Sequence, residues 1–250
     1  MKKEMINSST IIYSFFDIDS ITTHIYLIIR ETKVYLIDTY LGPGYLDELL
    51  EDIQKNWSHK ELVIINTHFH WDHIWGNCCF PNHPIIAHQT CVTHIEKDFS
   101  HELTLNSMYK KGDVVMVLPN KTFLHSLIIK EDQLELYYTP GHTDDSISIY
   151  DTKTNCLYVG DNLERPIVYV ENKNLEQYLH TLQFYLSFDT NCYMAGHSTN
   201  LTKDDVRYTM SYIVNLLERK LQIFTGFKQQ VHEANIAFIQ SHSSDSQNNL

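Results

Sequence analysis

Basic residues are scarce in this sequence. Nineteen lysines and arginines face 31 aspartates and glutamates, a formal net charge of -12. A nucleic-acid surface needs a basic stripe to displace phosphate counterions. No run of lysine or arginine supplies one, so nucleic acid is set aside as a partner. The acidity is spread along the chain and serves solubility. Long apolar runs are also lacking. IIYSFF near the N-terminus is cut short by Asp17, too short for a signal peptide and far too short for a membrane span. The chain therefore reads as cytoplasmic, with no membrane partner. Cysteine is sparse too: Cys78, Cys79, Cys91, Cys156 and Cys192, with no C-x-x-C. An odd count without that spacing indicates neither a disulfide framework nor a zinc ribbon. No Pro/Gly/Ser-rich linker divides the chain. One domain over residues 1–240 is expected, followed by a polar tail, SHSSDSQNNL, frayed at 241–250.

What is present is a core and a periodic pattern. Hydrophobic residues make up 43% of the chain and aromatics 12%, enough for a substantial interior. IIYSFF, HIYLII and VYLID read as strands. After a Gly-Pro-Gly break at 42–44, Leu46, Leu49, Leu50, Ile53 and Trp57 recur at helical spacing. LVIIN is a buried-type strand. Residues 74–125, interrupted by Pro81 and Pro84, suggest short helices and a connecting loop. Strands return as LELYY, SISIY and CLYVG. Leu175, Tyr178, Leu179, Leu182 and Leu186 then share a helical face, and CYMAG is a short strand. Thr202 and Asp205 resemble a capping box, opening a helix with Val206, Met210, Ile213, Leu217 and Leu221 on its buried side. The order predicts an α/β fold with two similar halves.

Coordinating side chains cluster in THFHWDHIWGN, Thr67 to Asn77. Four apolar strands run into such residues: LVIINTH into His68, with His70, Asp72 and His73 following; LELYYTPGH into His142; CLYVGD into Asp161; CYMAGH into His197. Strand ends are rigid and can converge on one sheet edge, as a metal site requires. His68 and His70, two apart, project to the same side of an extended segment. Asp72 and His73 lie where the chain turns into a helix and must point elsewhere, which invites a second metal. Imidazole and carboxylate donors suit zinc, iron or manganese, and the lack of cysteine ligands disfavours a purely structural zinc. The other ten histidines match no ligand pattern and are expected to be mostly solvated.

H-x-H-x-D-H, then P-G-H-T, G-D and G-H, in this order, resemble the metallo-β-lactamase superfamily. The resemblance implies a four-layered αββα sandwich with two divalent metal ions, zinc first, at one edge. It implies His68, His70 and His142 for one metal, Asp72, His73 and His197 for the other, and Asp161 between them. Asp38 matches an aspartate that supports the ligands from behind. Tyr40 stands where the family has a small residue, implying a differently shaped pocket. Trp71 and Trp75 either line a substrate pocket or pack the helix start. Glu164 and Arg165 either face the substrate or form a surface ion pair. Cys78 and Cys79 fill core space.

The resemblance also orders the possible reactions. A carboxylate at Asp161 is shared with glyoxalase II-like thioesterases, lactonases and phosphodiesterases, whereas β-lactamases of this fold usually lack it. Glu164 stands where acyl-homoserine lactonases carry tyrosine. No glutathione-binding pattern follows His197, where one long helix and a tail are expected. The expectation is a hydrolase of a small ester, thioester or lactone, using a metal-bridging hydroxide, with Asp72 relaying the proton. The alternatives are a mononuclear iron sulfur dioxygenase using His68, His70 and His142, or a phosphodiesterase or β-lactamase of the same fold.

Overall fold

The computed structural model describes residues 1–19 and 21–241. The expected tail falls outside the described residues except for Ser241, which closes the last helix.

Two sheets form. The first has seven strands in sequential order: β1 (Lys2–Asn7), β2 (Thr10–Ile18), β3 (Ile21–Ile29), β4 (Lys33–Ile37), β5 (Glu61–Ile65), β6 (Ile85–His88) and β7 (Lys121–Phe123). β1 to β4 are antiparallel, and β4 to β7 are parallel. Parallel neighbours need crossovers. These are α1 (Pro43–Trp57), the short α2 (Trp71–Ile74) with a 3-10 turn, and α3 (Gln89–Leu105). The second sheet pairs β8 (Ser126–Ile129), β9 (Leu134–Tyr138), β10 (Ile147–Asp151) and β11 (Cys156–Tyr158) antiparallel, then β12 (Tyr193–Met194) parallel to β11. α4 (Leu175–Ser187) makes that last crossover, and α5 (Lys203–Leu217) and α6 (Gly226–Ser241) follow.

Alternation along the strands builds the layers. In β4 and β5, Val34, Leu36, Leu62 and Ile64 pack towards α1 and α3. Their neighbours Tyr35, Ile37, Val63 and Ile65 face the other way and meet Leu134, Leu136, Ile147 and Ile149 of the second sheet. A strand buried on both faces needs a continuous apolar run, which is why LVII reads as one. Behind the second sheet, Leu157, Val159 and Tyr193 pack on Tyr178, Leu182, Val206, Ile213 and Val231 of α4, α5 and α6. The result is a four-layered αββα sandwich.

Several elements depart from expectation. Residues 74–125 contain β6, β7 and a 17-residue helix, α3, whose buried stripe is only Cys91, Ile95 and Phe99. α5 keeps its capping box but ends at Leu217. Its buried face runs through Tyr212, Ile213 and Leu216, leaving Leu217 43% and Leu221 89% exposed. α6 was not anticipated, because its buried positions include His232 and Asn235, which an apolar count skips. Asn235 bonds both the backbone of Val168 and Val170 and the Tyr212 hydroxyl. β1 was also missed; KKEMIN is mostly exposed and carries no apolar alternation.

Candidate metal centre

The C-terminal ends of β5, β9, β11 and β12 meet at one edge of the sandwich. Asp38 follows β4 with φ of 63°, a left-handed conformation uncommon for a residue with a side chain. Its carboxylate accepts from the Thr67 amide, the Thr67 hydroxyl and His73 Nδ1, each at 2.8 Å. That ties β4 to the start of the histidine run. Asp161 follows Gly160, which has φ of 52° and lies against Thr67. Gly196 is required by close approach: a Cβ there would lie 2.3 Å from Asp161 Oδ1 and 2.5 Å from His73 Cε1.

Every histidine of the cluster has one ring nitrogen fixed by the protein and the other aimed inward. His142 Nδ1 is 2.9 Å from the Tyr169 carbonyl, and His197 Nδ1 is 3.2 Å from that of Thr22. His68 Nδ1 contacts the Thr67 hydroxyl at 3.0 Å. With His73 Nδ1 on Asp38, these four present Nε2. His70 is reversed: its Nε2 lies 3.2 Å from Glu171 Oε2, and its Nδ1 lies 3.0 Å from His142 Nε2. Partners of this kind set tautomer and ring orientation for ligation.

The inward atoms form three groups, each with its members within 4.8 Å of one another: His68, His70 and His142; Asp72, His73 and His197; His68, His73 and Asp161. Asp161 Oδ2 is central, 3.1 Å from His197 Nε2, 3.2 Å from His73 Nε2, 3.7 Å from His68 Nε2 and 3.9 Å from His142 Nε2. Asp72 Oδ2 lies 3.3 Å from His197 Nε2.

This arrangement fits divalent metal. His68 Nε2, His73 Nε2 and Asp161 Oδ1 are buried without hydrogen-bond partners, and an unsatisfied buried polar atom costs about 1–3 kcal/mol. The electrostatics agree. Burial holds the His68 imidazole well below its usual range, so it is neutral and keeps a lone pair. Burial opposes charge on His73 and His197 as well, but Asp161 and Asp72 outweigh it and hold both well above the usual range. Burial likewise opposes charge on Asp72, yet His73 and His197 bring it down to about 2. The carboxylates thus call for positive charge among donors otherwise left unpaired. A metal cation provides that charge, and its binding releases the protons.

A family model of the metallo-beta-lactamase superfamily matches residues 20–197. The chain belongs to this superfamily. A probable metallo-hydrolase of Methanocaldococcus jannaschii is 32% identical over 143 residues, 55% of this chain and 66% of that protein. The cytoplasmic isozyme of hydroxyacylglutathione hydrolase from Saccharomyces cerevisiae is 29% identical over 138 residues, 54% of this chain and 44% of that enzyme. The chain thus matches these relatives over less than two thirds of their length. Among solved structures, a metallo-beta-lactamase from Pontibacter korlensis superposes with a TM-score of 0.69 at 19% identity, covering 86% of this chain and 99% of its own. TMB-1 gives 0.71 at 15% identity, covering 86% and 98%. These two likenesses are of fold. Within this superfamily match the chain carries His and Asp groups able to bind metal.

Around this superfamily edge the remaining residues separate. Trp75 is 1% exposed and packs in the first core. Trp71 is half-buried, stacks on Tyr109 at 5.3 Å and lines a 410 Å³ hollow with Phe69, His70, Glu102 and Glu171. Arg165 is exposed and pairs with Asp205 through two hydrogen bonds of 2.7 Å, yet its side chain also lines a 370 Å³ groove beside His197. Glu164 makes no ion pair with it. Glu164 is buried near Asp161 and Asp72, and burial lifts its carboxyl to about 8. A larger hollow, 700 Å³, lies by Leu50, Trp57 and Phe80. It has none of the donors, so the convergence of side chains, not volume, locates the site. Cys78 and Cys79 are half-buried, and Cys79 packs against the first core.

Sequence reasoning missed Glu171, Thr67 and Asn162. Asn162 Oδ1 accepts from the His142 amide at 2.7 Å, while its Nδ2 donates to the Thr139 carbonyl at 2.7 Å. Its position directly after the G-D motif was the only available signal. Of the other histidines, His59, His101, His125 and His180 are exposed. His88 and His232 are buried instead, because each finds partners: His88 bonds the Leu124 carbonyl and caps α3 through Thr90, and His232 contacts the Tyr212 hydroxyl at 3.0 Å. His242 lies outside the described residues.

Proposed function

We propose that the protein is a metal-dependent hydrolase of a small ester, thioester or lactone, with His68, His70 and His142 on one metal, Asp72, His73 and His197 on a second, and Asp161 between them. The central position of Asp161 Oδ2 among four imidazoles carries this reading. One carboxylate oxygen lies within 3.9 Å of imidazoles from both donor groups, so Asp161 would be available to a metal held by either. Zinc is the first choice, since imidazole and carboxylate donors suit it. Thioesters gain weight from the hydroxyacylglutathione hydrolases among the relatives.

Bound divalent metal supplies Lewis acidity and lowers the pKa of its water from 15.7 towards about 7. The residues do the rest. Neutral His68 and His142 donate lone pairs, held in orientation by Thr67 and by the Tyr169 carbonyl. Ionised Asp72 is able to accept a proton at a carboxylate oxygen and pass it to the leaving group. The hollows lined in part by His70 and by His197 offer room for a substrate beside the donors.

The test is metal quantification on protein as isolated, followed by a panel of hydroxyacyl-glutathione thioesters, lactones, aryl esters and phosphodiesters. Two metals per chain and turnover of an ester, thioester or lactone, abolished in His68→Ala, are expected. One iron per chain with oxygen consumption on a persulfide would replace hydrolysis with the dioxygenase reading.

A further inference from the structure

Cys156 and Cys192 lie 36 residues apart, and no Cys-x-x-Cys spacing links them. The fold brings them together. β11 and β12 are adjacent and parallel, in a register pairing Leu157 with Tyr193 and Tyr158 with Met194. One step back, that register puts Cys156 beside Cys192, and their Sγ atoms are 2.7 Å apart. Neighbouring strands are spaced about 4.8 Å apart, inside the Cα separation that disulfides accept. Cys156 is buried between the two sheets, and Cys192 is partly exposed at the margin of that layer.

The same register has a second consequence. Asp161 lies five residues beyond Cys156, and His197 five residues beyond Cys192. The two sulfurs therefore meet at the start of the strand pair whose far ends carry Asp161 and His197. The segment between the cysteines contains Glu164, Tyr169 and Glu171, the last two of which position His142 and His70.

We propose that Cys156 and Cys192 form a reversible disulfide that staples β11 to β12. With glutathione disulfide as oxidant, the accessible Cys192 thiolate attacks one of its sulfurs and expels a glutathione thiolate. The Cys156 thiol, losing its proton, then attacks Cys192 Sγ and expels the second. Two protein thiols become one disulfide, and one glutathione disulfide becomes two glutathiones. Cys192 suits the attacking role twice over: it is the exposed partner, and a hydrogen bond from Cys156 lowers its thiol below the usual range. Closing this loop restrains the unfolded chain, so the oxidised protein should melt on the order of 5–10 °C higher.

The experiment uses the protein with its metal as purified. It is incubated with glutathione disulfide, then denatured, alkylated and mapped by mass spectrometry. The expected product is a Cys156–Cys192 cross-linked peptide, reversed by dithiothreitol, with the higher melting temperature. Cys156→Ser should instead retain glutathione on Cys192, and Cys192→Ser should acquire none at Cys156. Full alkylation of both thiols after oxidation, or a stable glutathione adduct on wild-type Cys192, overturns the proposal. So does oxidation that maps to Cys78 and Cys79 while this pair stays reduced. None of these readouts depends on hydrolysis, so the proposal and the assigned reaction fail separately.

Discussion

At the residue scale, the site depends on what stands behind the donors as much as on the donors. Glu171 is the clearest case, because it makes His70 offer Nδ1 where its neighbours offer Nε2. Removing such a partner typically weakens metal binding by about 10–100-fold. Glu171→Ala should show that loss in chelator competition. Glu171→Gln, which keeps a carbonyl acceptor, should recover most of it; equal affinity in all three proteins would remove Glu171 from the site. Gly196 makes a steric prediction. Gly196→Ala pushes a methyl into Asp161 and His73, so metal content should fall while far-UV circular dichroism stays native. Full metal content in this variant would contradict the close packing. The clustered His and Asp donors were legible in the sequence, since they follow apolar strands in short motifs. Glu171 and Asn162 were not, because their partners are distant in sequence: Glu171 meets His70 across 101 positions.

At the element scale, helix boundaries follow caps more faithfully than apolar spacing. Thr202 and Asp205 cap α5 reciprocally. Losing an N-cap side chain costs about 1 kcal/mol, or roughly 2–4 °C of melting temperature at this size. Thr202→Ala should show such a drop without change in metal content; an unchanged melting temperature would make the cap dispensable. The far end of α5 shows the limit of periodicity. Leu217 and Leu221 continue the 3–4 spacing of Val206, Met210 and Ile213, but the helix stops and both side chains are exposed. α3 fails in the opposite sense, burying only three apolar residues in 17. Its histidines and acids obscure the stripe, and its place comes from the parallel pairing of β6 with β7.

At the scale of the whole molecule, the two halves are joined by the inter-sheet core and by contacts around the site. One such contact is His94 of α3 with Asp144, Nε2 to Oδ1 at 2.6 Å. The hydrogen bond from His94 holds the Asp144 carboxyl below its usual range, and the bond to Asp144 raises His94 above its own. The contribution is therefore full between about pH 4 and the unfolded histidine value of about 6.5. It is lost at higher pH as His94 deprotonates, and at lower pH as Asp144 protonates. Asp144 is half exposed, so solvent screening limits the pair to about 0.2–1 kcal/mol. Chemical denaturation of wild type and His94→Gln should differ by that amount at pH 5.5 and converge at pH 9. A difference that grows with pH would reverse the sign. Bound metal would act on a larger scale. A ligand present at a hundred times its dissociation constant stabilises the fold by about 2.7 kcal/mol. Chelation should then lower the melting temperature by roughly 5–10 °C, and added zinc should restore it. No response to chelator would remove metal from the stable fold.

The sequence by itself determined the strand core, the order of the metal-type motifs and the superfamily. Those features are local: alternation, short apolar runs and residues that follow strand ends are written in consecutive positions. Tertiary structure alone decided which histidine nitrogen faces inward, that Trp75 belongs to the core, that Glu164 is buried while Arg165 pairs with Asp205, and that Cys156 meets Cys192. Each depends on the register and packing of segments far apart in the chain. Local pattern can say that a segment is a strand, but not which side chains a neighbouring strand sets beside it.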